Sequence, residues 1–364
     1  MIIWILLIVY LIFLKLGMGE LDTKPKQKQY LIWAGVAVAL IMGLRGDNYG
    51  RVYDLRVYTE FFELIDRVSW RNIYDVSDFE VGFVFLNKVL ACIFTGGQTI
   101  IIFEAFFCVF AVCHFIYHNT DNVFEALFFF VTLGTMGFML TGLRQSIAIG
   151  VGLLSVQAIK NKQFIKYAIL MAIAYSIHET SIVFFVAYFI FRNKAIQKNG
   201  FVVIPLVLLM MVLAPQILKL GVTLSDGELS MSSEAMFSIN GIVPILIYVI
   251  AISFTIYINK CKKKTASASP DACEKGKGEI SIALPMTSIG LGVYLMRFYG
   301  MVIERLSFYY TPASVIALAD IAGAMKKGKD GTFDELIILF LAIVLFIYRL
   351  SDAVYGNYVF FWNV

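Results

Sequence analysis

The sequence has little charge and few of the residues that build soluble catalytic or metal-binding sites. Only 15% of its 364 residues are Asp, Glu, Lys or Arg, and it has 3 His and 7 Pro. Soluble domains usually carry about a quarter charged residues, so this composition argues against a soluble domain. The 5 cysteines form no Cys-x-x-Cys pair. We therefore expect no disulfide framework, no metal site and no cofactor.

Long apolar runs take the place of the missing charge. Hydrophobic residues make up 60% of the chain, and the mean hydropathy is +0.80. Many runs approach the ~20 residues that a helix needs to span a bilayer. The pattern predicts an all-α, polytopic transmembrane helical bundle of about 11–13 membrane segments, some of them short or re-entrant. The net charge of +4 lies in lysine clusters without interleaved aromatic residues, which does not indicate a nucleic-acid partner.

The whole chain, residues 1–364, is predicted to form a single integral membrane domain that begins with a retained apolar helix. Residues 46–81 mix aromatic and charged side chains and are predicted to form an outer loop. Part of this loop, 52–68, has the pattern of an amphipathic helix at the membrane surface. Residues 220–240 are predicted to form a second outer loop, and residues 260–279 a flexible cytoplasmic linker.

Lysine-rich clusters assign the sides of the membrane, because cytoplasmic loops carry an excess of Lys and Arg. The clusters lie at Lys24–Lys28, Lys160–Lys166, Arg192–Lys198, Lys260–Lys264 and Lys326–Lys329. Between the second and third clusters the chain must leave and return in a stretch too short for two full spans. We therefore expect two short helices that meet at residues 176–180. The assignment also requires that one early segment does not cross. Residues 82–95 are the best candidate, although another early segment would serve as well.

Four polar groups then fall on the outer face, each at the end of an apolar run. They are Arg45-Gly-Asp47, Arg144-Gln145, His178-Glu179, and Arg297 with Glu304-Arg305. Charge is costly at such positions, so each group needs a reason. Their convergence predicts a polar site at one face of a membrane.

Arg144 and Gln145 lie in the first turn of a predicted helix. A cation at a helix N-terminus opposes the helix dipole, and a bound anion would resolve that conflict. Arg45, followed by Asp47 and Tyr49, has two interpretations. It is either a helix cap with interfacial anchors or a second arginine presented to an anionic ligand.

His178 lies at the predicted helix break, next to Glu179. It is either a hydrogen-bonded core residue or the base that takes a proton from a hydroxyl, with Glu179 as the second choice. His114 and His118 fall on the opposite face, which argues against a histidine metal site. Glu104 is an acid within an apolar run, and the sequence shows no partner for it.

Arg297 and Glu304-Arg305 flank a Tyr-Gly turn, and Tyr309 follows them. This group is either an interfacial Arg–Glu pair with an aromatic belt or a further set of contacts to a polyanion. In the second interpretation the tyrosine rings stack on sugars. Glu80 is a weaker candidate for another wall of the same site.

The order of the polar motifs resembles that of a known membrane family. The motifs are Arg45-Gly-Asp-Asn-Tyr49, Glu80-Val-Gly-Phe83, Gly142-Leu-Arg-Gln145, Lys160-Asn-Lys-Gln-Phe164 and His178-Glu-Thr-Ser181. Together they resemble the EpsG family of polytopic membrane proteins, which are related to Wzy-type polysaccharide polymerases. The ordered set is more specific than any one motif.

The resemblance implies a metal-independent, inverting membrane glycosyltransferase with a GT-C-like fold. Such an enzyme joins oligosaccharide repeat units carried on undecaprenyl diphosphate, at the outer face of the bacterial inner membrane, in capsule, exopolysaccharide or O-antigen synthesis. Its expected partners are this lipid-linked oligosaccharide, membrane lipids, a chain-length regulator and other assembly proteins. Arg144, helped by Arg45 and Arg305, would hold the diphosphate, and His178 would deprotonate the acceptor hydroxyl.

Two other functions remain open. A transporter or flippase for lipid-linked oligosaccharides would also need arginines for the diphosphate, but it should place charge along a path through the bilayer. A membrane O-acyltransferase acting on surface glycans would use His178 as its base and would need a polar site open to the cytoplasm.

Overall fold

The computed structural model describes residues 2–47, 53–193, 209, 239–268, 282–299, 301–326, 331–351, 355 and 358–363. These residues form a helical bundle, and their one β-type pairing is an isolated bridge between Arg45 and Phe360. The predicted all-helical fold is therefore confirmed for this part of the chain. Tyr49 and nearly all of the predicted outer loop 220–240 lie outside the described residues.

Sixteen α-helices are described, and short 3-10 turns join some of them. In chain order, α1 to α8 are Ile2–Met18, Lys24–Gly43, Tyr53–Arg67, Val81–Ala91, Gln98–Asn119, Val123–Thr132, Thr135–Met139 and Leu143–Lys160. Helices α9 to α16 are Phe164–Ile177, Ile182–Phe185, Ala187–Arg192, Ile239–Ala268, Ala283–Leu295, Met301–Ser307, Pro312–Lys326 and Gly331–Arg349. Two stretches, Gln98–Asn119 and Gly241–Asn259, are long and apolar enough to cross a membrane by length and composition.

Helix α3 is amphipathic, as the sequence predicts for residues 52–68. Its buried face carries Leu55, Phe62 and Ile65, while Arg56 and Glu60 pair on the exposed face at 2.8 Å. A helix with this division buries its apolar stripe against the bundle and leaves its charges outside.

Helix α4 begins and ends near the same end of the bundle. Its 11 residues extend about 16 Å, well short of the ~30 Å hydrocarbon core of a bilayer. Lys88 donates hydrogen bonds to the carbonyls of Ile65 and Val68 at the end of α3. After α4, the Gln98 side chain donates to the carbonyl of Arg45 at 2.8 Å. Helix α4 alone is thus too short to cross a bilayer, and the topology of residues 82–95 stays a prediction.

Helices α9, α10 and α11 form the predicted short hairpin. Helix α9 ends at Ile177, a 3-10 turn occupies Glu179–Ser181, and the chain then returns through α10 and α11. The ring of Phe164, at the start of α9, lies 5.0 Å from that of Tyr188 in α11. His178 therefore lies at the tip of the hairpin, as predicted.

In three places the helices begin or end inside a run that is uniform in the sequence. The run 123–141 is broken because Gly134 adopts a left-handed conformation with φ of 96°, which ends α6. The run 303–323 is split before Pro312, which has no backbone N–H with which to continue the preceding helix. In the predicted linker 260–279, residues up to Ala268 continue α12, and residues 269–279 lie outside the described chain.

Lys24 and Lys160, from two of the lysine clusters, lie at one end of the bundle, called here the lysine end. Lys24 pairs with Asp121 at 2.8 Å, and Lys160 donates to the Asn119 side chain at 3.3 Å. Helix α2 starts at this end, and α5 and α8 finish there. The opposite ends of these helices, called here the site end, therefore carry Arg45 and Arg144.

Candidate active site

Three side chains from three separate elements meet at the site end, and they are called here the Glu80 cluster. Glu80 forms an ion pair with Arg144 through its Oε2 atom. Its other oxygen, Oε1, lies 2.8 Å from Nδ1 of His178. One carboxylate thus joins the start of α8 to the tip of the α9–α11 hairpin.

The close approach of α4 to α9 depends on Gly82. A Cβ at this position would overlap the Ser176 side chain and would lie 2.7 Å from the Ser176 carbonyl carbon. Because glycine has no side chain, the start of α4 can rest directly on the end of α9. Glu80, which caps α4, is thereby placed beside His178.

His178 leaves the helix at the end of α9. Its backbone is extended, with φ of −155° and ψ of 117°, while its N–H still donates to the carbonyl of Ala174 at 2.9 Å. This break turns the imidazole away from the helix and towards Glu80. The side chains of both residues are 19% exposed, so the pair is shielded but not sealed.

Arg144 lies against a wall of aromatic rings. Its guanidinium carbon is 4.6 Å from the centre of the Phe79 ring and 5.7 Å from that of Tyr58. Its Nε also donates to the Tyr58 hydroxyl at 3.3 Å. Cation–π contacts and the ion pair with Glu80 together fix the plane of the guanidinium.

The sequence predicted that an anion would offset the unfavourable position of Arg144 at a helix N-terminus. The structure supplies this anion from within the chain, because the Glu80 carboxylate occupies that place. The helix-end argument alone therefore does not require an external ligand, and the binding of an anion by Arg144 stays a prediction.

Glu80 is ionised at neutral pH. Burial raises the pKa of its carboxyl, but the hydrogen bond from His178 and the charge of Arg144 outweigh burial and lower the pKa from 4.5 to about 2. An ionised carboxylate only accepts hydrogen bonds, so the neutral His178 ring carries its proton on Nδ1. Its Nε2 is then the proton acceptor. Such an arrangement can orient an imidazole as a general base.

The end of α14 and the turn after it are attached to this site at two places. Gln145, next to Arg144, donates to the carbonyl of Arg305 at 2.7 Å. Tyr309 shares a hydrogen bond with Thr180 at 3.1 Å. The Arg305 side chain is exposed and adds a second positive charge at the site end.

Glu179, the second choice as base, is exposed and lies outside the Glu80 cluster. Its neighbour His178 holds the contact with the carboxylate. The sequence could not show which of the two adjacent residues contacts Glu80, and the structure assigns that contact to His178.

Arg45 does not join the Glu80 cluster. Its side chain is 0% exposed, and its Nη2 pairs at 3.0 Å with Glu104, which is equally buried. Its Nε donates to the Leu140 carbonyl at 3.1 Å, and Nη1 donates to the carbonyl of Met42. Because its donors are used inside the bundle, the assignment of Arg45 to substrate binding does not fit this structure. Asp47 likewise accepts a hydrogen bond from Thr59 at 3.1 Å.

Arg297 and Glu304 form the predicted pair, with 3.2 Å between Nη1 and Oε2. Arg297 also donates to the Tyr294 hydroxyl at 2.7 Å. These residues line a separate part of the site end, and no direct contact with Glu80 is described.

Sequence reasoning ranked Glu80 too low and missed Tyr58 and Phe79. The available signal was Gly82, two residues after Glu80, since a glycine at the start of an apolar helix marks a close backbone approach. No spacing in the sequence indicates that Glu104 is the partner of Arg45, because 59 residues separate them.

Comparison with known proteins gives one result that covers nearly the whole chain. A model of the EpsG family matches residues 28–362. Searches of curated proteins and of solved structures found no match. EpsG proteins are associated with Wzy-type polysaccharide polymerases, which agrees with a polar site at one end of an apolar helical bundle. On the strength of this match, the chain belongs to the EpsG family.

Proposed function

We propose that the protein is an inner-membrane polysaccharide polymerase that joins oligosaccharide units carried on undecaprenyl diphosphate. The observation that carries this proposal is the Glu80 cluster, where an arginine and an imidazole share one carboxylate. The cluster lies opposite the lysine end. Because lysine-rich loops remain in the cytoplasm, the positive-inside rule orients the cluster towards the outside.

In the proposed reaction, His178 accepts the proton of the acceptor sugar hydroxyl at Nε2. The hydroxyl oxygen forms a bond to the anomeric carbon of the donor, and the bond from that carbon to the diphosphate oxygen breaks. The diphosphate leaves with the electron pair, and a single displacement of this kind inverts the anomeric centre. Glu80 holds the ring and offsets the charge of the imidazolium that forms.

Arg144 is proposed to bind the departing diphosphate. A guanidinium has five N–H donors, and the contacts to Glu80 and Tyr58 leave others for phosphate oxygens. The exposed Arg305 is proposed to add a second charge, so that arginines in place of a metal stabilise the leaving group. Arg45 has no role in this proposal, because its side chain is fully buried and paired with Glu104.

A defined assay tests the polymerase directly. Purified protein in liposomes is supplied with undecaprenyl-diphosphate-linked repeat units, and the products are separated by length. The wild type should give a ladder of products. Arg144→Ala and His178→Ala should leave single units, while His114→Ala, which removes a histidine from α5 outside the cluster, should retain the ladder.

Other outcomes separate the competing functions. Long polymer from both Arg144→Ala and His178→Ala would contradict the proposed roles. Movement of the lipid-linked unit across the liposome membrane without elongation would support a transporter. Transfer of acyl groups to a glycan would support an O-acyltransferase.

A further inference from the structure

A cavity lies at the site end, separate from the Glu80 cluster. Its volume is about 200 Å³, and it is called here the Arg349 cavity. Its polar and aromatic walls include Thr135, Tyr248, Tyr294, Glu304, Phe308 and Arg349. This volume is large enough to hold several waters or a small polar ligand such as one sugar ring.

Arg349 reaches the cavity because of the backbone at Gly134. A Cβ on Gly134 would collide with the guanidinium, and the φ of 96° there is unfavourable for any other residue. Among the described residues, no ion pair or hydrogen bond satisfies the Arg349 guanidinium, although it lies within the electrostatic reach of Glu304. A cation is thus placed at the cavity wall at the end of α16.

Thr135 gives a second and independent sign of a ligand. The residue is 3% exposed and lines the cavity, yet its Oγ1 has no hydrogen-bond partner in the described part of the chain. A buried hydroxyl without a partner is costly, so it marks a place where a bound group would complete the hydrogen bonding.

The mixture of donors and acceptors favours a sugar over a phosphate. Phosphate oxygens accept hydrogen bonds at neutral pH, and a phosphate site needs an excess of donors and positive charge. Here Glu304 adds a carboxylate, and Arg297 is already paired with it. Sugar hydroxyls both donate and accept, and they match a carboxylate, a guanidinium and several hydroxyls together. The rings of Tyr248 and Phe308 offer apolar faces for sugar C–H groups.

The cavity and the Glu80 cluster share one segment of the chain. Glu304 lines the cavity, while the carbonyl of the next residue, Arg305, accepts from Gln145 beside Arg144. Phe308 lines the cavity and stacks on Phe138 with ring centres 4.1 Å apart. A ligand in the cavity is therefore connected to the proposed transfer groups through residues 304–308.

We propose that the Arg349 cavity binds one sugar residue of the lipid-linked substrate, an inference that rests on the proposed function. The guanidinium of Arg349 and the carboxylate of Glu304 hold its hydroxyls, and Thr135 completes the contacts. The cavity then selects which repeat unit is positioned for transfer at the Glu80 cluster.

The test measures sugar binding apart from polymerisation. The free repeat-unit oligosaccharide, released by mild acid from the lipid carrier of the producing strain, is titrated onto the full-length protein and followed by saturation-transfer NMR. The wild type should bind. Thr135→Val should weaken binding several-fold and Arg349→Gln about tenfold, because each substitution removes protein groups that donate hydrogen bonds to the ligand.

A matched variant controls for folding. Thr132→Val makes the same substitution one helix earlier, where the hydroxyl bonds to the Phe128 carbonyl at 2.8 Å and does not line the cavity. It should bind the oligosaccharide like the wild type. Unchanged binding by both cavity variants, or no binding by the wild type, would overturn the proposal. Displacement of the sugar by inorganic pyrophosphate would overturn it in favour of an anion site.

The two proposals can fail separately. Arg144→Gln should still bind the free oligosaccharide while it loses polymerisation. A wild-type protein that binds the sugar at this cavity but makes no polymer would refute the polymerase and retain the sugar site. A protein that polymerises equally well with and without the cavity side chains would refute the sugar site alone.

Discussion

Two Arg–Glu pairs of the same chemistry occupy opposite environments at the site end. Arg45 and Glu104 are both 0% exposed, and backbone carbonyls take the remaining donors of the arginine. The side chains of Arg144 and Glu80 are 23% and 19% exposed, and the second oxygen of Glu80 contacts His178. The first pair has no access for a ligand. The second pair can exchange contacts with a substrate.

The difference shows that residue type and position along an apolar run do not distinguish a structural charge from a reactive one. Both arginines lie at the end of a helix or just after it, and both were expected at the same face. Burial decides between them, because a fully buried ion pair is held by its surroundings and breaking it is costly. A partly exposed pair is worth less to stability and is free to serve chemistry.

The largest expected effect comes from Glu80→Gln. The amide can donate to Nδ1 of His178 and hold the ring with its proton on the wrong nitrogen, so polymerisation should fall roughly 10²- to 10⁴-fold. The free energy of unfolding should fall by less than it does when the fully buried Arg45–Glu104 pair is broken, since Glu80 and Arg144 are partly exposed. Initial rates and thermal unfolding check the two parts. An active Glu80→Gln enzyme would remove the carboxylate from the mechanism.

Breaking the buried Arg45–Glu104 pair should mainly lower stability, whereas Glu80→Gln should mainly lower activity. Arg45→Met leaves Glu104 buried without its partner and should lower the free energy of unfolding by about 3–5 kcal/mol. The double variant Arg45→Met with Glu104→Leu should recover most of this loss, because no uncompensated charge remains. Denaturation in detergent measures both. If the double variant were as unstable as the single, the pair would hold the fold by geometry and not by charge.

Gly82→Ala should move Glu80 away from His178 without changing any side chain of the Glu80 cluster. The added methyl meets Ser176 and pushes α4 away from α9, so Glu80 loses its contact with His178. We expect roughly a 10- to 100-fold loss of activity, since misplacement of about 1 Å has effects of this size. Gly17→Ala is the control, because a Cβ at Gly17 has no neighbour within 4 Å. Equal activity of the two variants would contradict the role of Gly82.

Tyr58→Phe should have a smaller effect. It removes one hydrogen bond to Arg144 and keeps the ring beneath the guanidinium, so the loss should be about 0.5–1.5 kcal/mol, or less than about tenfold in rate. Tyr58→Leu, which removes the ring as well, should lose more. Rates of the two variants compare the hydrogen bond with the cation–π contact, and equal rates would assign the whole effect to the hydroxyl.

The smallest expected effect is the change in the free energy of unfolding as the pH is lowered. The pKa of Glu80 is lowered to about 2 in the folded protein from 4.5, so its ionised form stabilises the fold fully above pH about 4.5. That contribution is lost as the pH falls towards 2. Glu80→Gln should lack this part of the acid dependence, while Asp47→Asn should retain it. Identical acid profiles for wild type and Glu80→Gln would contradict the lowered pKa.

Much of the fold follows from one-dimensional patterns. The amphipathic helix α3 and the hairpin with His178 at its tip match the sequence predictions, because apolar periodicity and lysine placement act over short stretches. The breaks at Gly134 and Pro312 were missed inside apolar runs. A run of this kind does not reveal where the backbone must turn, since helix and turn residues there are equally apolar.

The sequence by itself determined that this chain is helical and apolar, and that Arg144 and His178 belong to the end opposite Lys24 and Lys160. These features follow from local composition and from the cost of charge beside apolar segments. Only the tertiary structure decided that Glu80 joins those two residues and that Glu104 encloses Arg45. Pairings between residues far apart along the chain depend on how closely helices approach, and Gly82 shows that a single missing side chain sets that distance.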